Sequence, residues 1–140
     1  MRLQPLSMPL APDLAERVET CLAAACALPG CDLTVAGLLQ ACAAGRAQLV
    51  GIFDGERIVA AGVTQVRCHA DDRLSCWVLS LGGRSTGPWS AVIAAVERGA
   101  ARLGCSTVEF AGRRGWARVL PGYTATPCER GTHFLKRIGA

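Results

Sequence analysis

The stretch Trp77-Val78-Leu79-Ser80-Leu81-Gly82-Gly83-Arg84-Ser85-Thr86-Gly87-Pro88-Trp89 decides how the rest of this chain is read. An apolar run gives way to glycines and short polar residues. A period near 3.6 then takes over, with Val92, Ile93, Val96 and Leu103 on one face of a helix predicted from Pro88 to about Leu103. Proline is favoured at a first helical position. Gly104 stops the helix, and Thr107-Val108-Glu109-Phe110 reads as a short strand. A strand, a helix and a strand in so little chain imply a parallel crossover pairing of the strands on either side of the helix.

Upstream, the pattern is that of an antiparallel meander. Gln48 to Phe53 and Arg57 to Gln65 flank Asp54-Gly55, a strong hairpin signal. Val66 to His69 and Leu74 to Leu81 flank the polar turn Ala70-Asp71-Asp72-Arg73 and form a further strand pair. Ahead of the meander, Asp13 caps a predicted helix with Leu14, Val18, Cys21, Leu22 and Ala25 inward, ended by Pro29-Gly30. A second helix runs from Thr34 to about Ala43, and the proline-punctuated segment from Met1 to Pro12 reads as an irregular arm. Downstream come a short helix within Gly112 to Leu120 and a closing strand from Thr132 to Ile138. The expected organisation is one domain over residues 1–140: an arm at 1–12, helices at 13–45, and the sheet with its later helices at 48–138.

Composition supports a single packed core. The chain has 140 residues, half of them hydrophobic and 19% charged, enough apolar surface to exclude disorder and enough length to fold without disulfide or metal staples. Its eight cysteines contain no Cys-x-x-Cys pair, and His69 and His133 are isolated from each other, so no metal site is expected. The thiols read as small hydrophobes in a reducing compartment. Pro5, Pro9 and Pro12, with Asp13, Glu16 and Arg17, interrupt any signal-like apolar stretch, and no run approaches a membrane span; the expectation is a cytoplasmic protein without membrane contact.

Charge is divided unevenly. Residues 1–56 hold three basic and six acidic side chains and residues 57–140 hold twelve and five, about −3 against +7. Arg84, Arg113, Arg114, Arg118, Arg130 and Arg137 are candidates for a surface that attracts phosphates. The basic half lacks the interleaved aromatics and the motif of a nucleic-acid interface. The glycine-rich loop is a better anion device, because glycines let a backbone approach a ligand and a following helix N-terminus adds partial positive charge. Leu81, Gly82, Gly83, Arg84, Ser85, Thr86 and Gly87 are its candidate binding residues.

Strand, loop, helix, Gly104, strand, short helix and Gly122-Tyr123 together resemble the GNAT superfamily of N-acetyltransferases in order and spacing. The resemblance implies an α+β fold: a mixed, mostly antiparallel central sheet with helices on both faces and a parallel fourth and fifth strand. It also implies that the loop, matching an R/Q-x-x-G-x-G/A motif through Arg84 to Trp89, holds the pyrophosphate of acetyl-coenzyme A while an amine is acetylated. Pro88 donates no N–H and Trp89 stands at the motif's last small position, so the loop is degenerate. The strand Leu74 to Leu81 carries no carboxylate to act as base. Tyr123 matches the Gly-Tyr pair of the family and reads as a packing residue, so the catalytic residues are left unassigned.

The run Val108 to Tyr123, with Arg113, Trp116 and Arg118, also looks like small GNAT-like proteins of phages and prophages. Two functions follow from these resemblances. One is acetyl transfer to an amine; the other is a non-catalytic role in virion structure or assembly with phage proteins as partners, motivated by the altered loop and the missing acid and base.

Overall fold

A computed structural model of the chain describes residues 1–28, 31–83, 88–129 and 131–139. Its centre is a seven-stranded mixed sheet in the order β1-β2-β3-β4-β5-β7-β6. Strands β2 (Gln48–Asp54), β3 (Arg57–Cys68) and β4 (Leu74–Gly83) form the meander. The β2–β3 hairpin turns at Gly55 and Glu56, between the paired Asp54 and Arg57, and Gly55 takes φ +65°, a left-handed value that a side chain resists. From β4 the chain crosses through α3 (Trp89–Arg102) into β5 (Thr107–Gly112), which lies parallel to β4 through Ser75↔Thr107, Cys76↔Val108 and Trp77↔Glu109. The expected crossover and the mostly antiparallel α+β sheet are therefore present.

The helices occupy both faces. On one, α1 (Pro12–Cys26) and α2 (Val35–Ala43) bring Val18, Cys21, Leu22 and Leu38 against Leu49, Ala61 and Val63. On the other, Val92, Ile93, Ala95 and Val96 of α3 cover Ile52, Cys76, Val78, Val108 and Phe134. The alternation along β5 explains the division: Val108 and Phe110 point to α3, and Thr107 and Glu109 point to the opposite face.

Several sequence expectations are corrected. The segment before α1 is not wholly irregular, because Arg2–Pro5 forms β1 and pairs antiparallel with Pro5↔Val50 through Arg2↔Phe53. Residues 57–68 form one unbroken strand rather than two, since the ladder to β4 runs from Ala60↔Gly83 to Cys68↔Leu74. A further strand, β6 (Thr124–Cys128), precedes β7 (Gly131–Arg137) and forms a hairpin with it. Ala11, not Asp13, is the N-cap of α1, with Pro12 opening the helix, while Pro88 is the N-cap of α3 rather than its first helical residue. The late helix, α4, is only Trp116–Val119.

The cysteines divide as well. All eight are free; Cys21, Cys76 and Cys105 are buried and Cys26 and Cys42 half-buried, as packing thiols should be, but Cys31, Cys68 and Cys128 lie on the surface. Among the described residues no helix is long and apolar enough to cross a membrane.

Candidate active site

The parallel ladder between β4 and β5 is short. It stops at Trp77↔Glu109, although β4 continues to Gly83 and β5 to Gly112. Beyond that pair β4 remains bonded to β3, ending at Ala60↔Gly83, while β5 remains bonded to β7 through Phe110↔Phe134 and Gly112↔Thr132. The two strands are thus held from outside and part between themselves. A register shift opposite Val63 and Thr64 leaves Leu79 of β4 without a partner, a bulge beside the opening.

At the vertex sits Glu109. Its side chain is only 10% exposed, which a carboxylate tolerates when its oxygens are bonded. Thr107 Oγ1 donates to Oε2 at 3.1 Å, and His133 Nε2 lies 3.0 Å from Oε1. A carboxylate only accepts, so this contact assigns the ring proton to Nε2. The His133 ring stacks on Trp77, with centres 5.4 Å apart and planes 19° apart, and the Arg67 guanidinium lies 4.4 Å from the centre of the same indole. Arg67 Nε in turn donates to Gln65 Oε1 at 2.9 Å. From the turn between β3 and β4, His69 Nε2 lies 3.0 Å from Oγ of the fully buried Ser75 on β4, the register partner of Thr107. Residues from β3, β4, β5 and β7 therefore build one polar track on the sheet face opposite α3.

The α3 side of the same opening is aromatic. Phe110 stacks on Phe134 at 4.9 Å and meets Tyr123 at 5.6 Å and Trp116 at 6.1 Å. Trp89, at the start of α3, meets Trp116 edge-on at 5.9 Å, which directs its bulk onto α4. Tyr123 is buried and its hydroxyl donates to Glu97 Oε2 at 2.7 Å; Lys136 Nζ donates to Oε1 of the same carboxylate at 3.0 Å. Burial, and then the Glu97 carboxylate, push the Tyr123 hydroxyl well above the ordinary phenol range.

Of the residues singled out in the loop, Leu81 packs against the α3 core. Gly82 lies under α1, where a Cβ would collide with the Cys21 carbonyl oxygen and stand 2.9 Å from the Ala25 methyl. Gly83 takes φ +152° and its Cβ position is closed by the Val59 carbonyl oxygen at 2.5 Å. Both glycines meet packing demands at the end of β4. Arg84, Ser85, Thr86 and Gly87 lie outside the described residues, as does Arg130. Arg113, Arg114 and Arg118 share one exposed turn around α4, whereas Arg137 pairs with Thr107 at the opposite end of β5.

Sequence reading passed over Glu109 and His133 because they are 24 positions apart and neither belongs to a motif. The available signal was local: a carboxylate inside the apolar strand Thr-Val-Glu-Phe, where a charge has to be bonded to be tolerated.

Known structures share this architecture. An N-acyl amino acid synthase from uncultured soil microbes, FeeM, superposes with a TM-score of 0.68 at 10% identity, covering 97% of this chain and 89% of its own. A GNAT family acetyltransferase from Elizabethkingia anophelis with acetyl-CoA bound gives 0.66 at 9% identity, covering 96% of each chain. A mutant agmatine N-acetyltransferase in its apo form gives 0.65 at 13%, covering 96% of this chain and 98% of its own. No family model and no curated protein sequence matches the chain. The chain has the GNAT fold.

Proposed function

We propose that this protein is an acyl-CoA-dependent N-acyltransferase that acetylates an amine. The observation that carries the reading is the placement of a bonded carboxylate, Glu109, at the vertex of the β4–β5 opening. Acetyl-coenzyme A would supply the acyl group as a thioester: the amine nitrogen attacks the carbonyl carbon, the C–S bond breaks, and the departing thiolate takes its proton from water.

The backbone of β4 beyond Trp77 fits an amide-bearing pantetheine arm, because its edge toward β5 carries no ladder. Leu81, Gly82 and Gly83 lead from that edge toward Arg84, Ser85, Thr86 and Gly87, the residues read as holding the pyrophosphate, ahead of the N-terminus of α3. Glu109 accepts the proton of the attacking amine directly or through one water. His133 and Thr107 hold the two carboxylate oxygens in a fixed plane, so the base is oriented before the substrate arrives. Tyr123 has no part in protonating the leaving thiol, since its hydroxyl is committed to Glu97.

The reading of a non-catalytic phage assembly protein leaned on the missing base. Glu109 supplies a carboxylate from the neighbouring strand, and none of the solved structures named above is described as a phage protein. Catalysis is therefore preferred. The test is acetylation of a panel of primary amines, followed by mass spectrometry of the products. Glu109→Gln should keep the fold and lower kcat/KM about 100-fold or more, the range a lost general base commands. Undiminished transfer by that variant would remove Glu109 from the mechanism.

A further inference from the structure

Resting on the acyltransferase reading, we propose that the amine accepted by this site carries a carboxylate at the far end of a short chain, and that Arg67 selects it. Arg67 is held by two contacts that leave its charge unpaired. Its guanidinium carbon lies over the Trp77 ring, 4.4 Å from the ring centre, and its Nε donates to Gln65 Oε1 at 2.9 Å. Among the described residues it has no carboxylate partner, whereas Arg73 is paired with Asp71 and Lys136 with Glu97. A guanidinium fixed by its face and its Nε still has the parallel N–H pair of its outer edge to offer, the geometry that fits a carboxylate in two simultaneous bonds.

The same indole connects this cation to the base. Trp77 stacks on His133, and His133 bonds Glu109, so anion receptor and proton acceptor share one row across the sheet face. A ligand that reaches both must span the indole, with contacts of 4.4 Å on the Arg67 side and 5.4 Å on the His133 side. An α-amino acid holds its amine and carboxylate on one carbon and is too short. A chain of several carbons reaches. Nearby charge favours the same sign of substrate: Arg137 adds a second cation to this face beside Thr107, Asp71 is engaged by Arg73, and Glu109 is engaged by His133 and Thr107. A substrate with a second ammonium group would be repelled by Arg67.

Three probes of matched length separate the possibilities: 6-aminohexanoate, hexylamine and hexane-1,6-diamine, each assayed with acetyl-coenzyme A. The expected order of kcat/KM is acid, then alkylamine, then diamine, with the acid roughly tenfold above the alkylamine, as one bidentate charge-assisted contact gives. Arg67→Gln should bring acid and alkylamine to roughly equal values. Arg67→Lys, which keeps the charge but not the fork, should leave an intermediate ratio. Thermal unfolding of both variants controls for folding. Equal rates for acid and alkylamine in the wild type, or a preference that survives Arg67→Gln, overturns the inference while leaving the acyltransferase reading intact. Acetylation of none of the three, with transfer to another amine of the wider panel, overturns this inference alone; transfer to no amine of that panel overturns the acyltransferase reading and this inference with it.

Discussion

The two faces of the sheet solve different problems with adjacent residues of the same strands. Toward α3, Val108, Phe110 and Phe134 meet Val92, Val96 and Tyr123 in a closed apolar layer. One residue away on each strand, Thr107, Glu109 and His133 turn to the other face and form the polar track beside Trp77 and Arg67. The α3 layer gains its stability from buried area. The polar face spends its groups on bonding one another, so its contribution to stability is small and its chemistry is exposed to a ligand. Alternation at a period of two makes the separation possible: a strand can serve a core and a site at once.

Mutations should therefore separate by face. The largest stability effect is expected for Phe134→Ala, which empties a fully buried ring site in the α3 layer and should cost about 3 to 5 kcal/mol in urea unfolding. A loss below 1 kcal/mol would show that the layer is not packed as described.

Alkaline pH comes next and acts on the same layer. Burial, with a smaller contribution from neighbouring Cys105, pushes the Cys76 thiol from its ordinary value of 9.0 up to about 12, and burial raises Tyr123 as well. Both groups are acids whose folded state favours the protonated form. The Cys76 contribution is complete below its unfolded value near 9 and is lost as pH climbs toward 12, whereas that of Tyr123 begins to be lost only above 10.0, each by up to about 1.4 kcal/mol per pH unit. The unfolding midpoint should fall steadily above pH 9, and Cys76→Ala should flatten that slope despite its lower overall stability. A slope unchanged by the substitution would remove Cys76 from the explanation.

The smallest stability effect belongs to the polar face. His133→Asn removes a partner of the buried Glu109 carboxylate and should cost about 1 kcal/mol, well below the loss expected for Phe134→Ala. It should nevertheless lower kcat/KM roughly tenfold and move the pH–rate profile, because the orientation of Glu109 is lost. An unchanged pH profile would reduce His133 to a packing residue.

How much of this was legible depended on where a residue lies in the sheet. The β2–β3 hairpin announced itself through Asp54-Gly55, and the β4–α3–β5 crossover through the change from an apolar run to a helical period. The two strands that escaped notice, β1 and β6, are the two edges of the sheet, and each contains a proline, Pro5 and Pro127. Edge strands tolerate proline because one side of their backbone has no ladder to satisfy, so the prolines that made residues 1–12 read as an irregular arm were compatible with an outer strand there. The proposed base was hidden for another reason. Glu109 on β5 and His133 on β7 become neighbours only when the last strands pair, through Ala111↔His133 and Glu109↔Leu135, and no local pattern encodes that pairing.

The central claim is that the β4–β5 opening receives coenzyme A. Calorimetric titration of the wild-type protein with coenzyme A, repeated as a thermal-shift series, tests it most directly. Saturable binding at one site per chain, with stabilisation that grows as ligand exceeds Kd and reaches about 2.7 kcal/mol at a hundredfold excess, is the predicted result. No heat of binding and no shift at millimolar coenzyme A would contradict it.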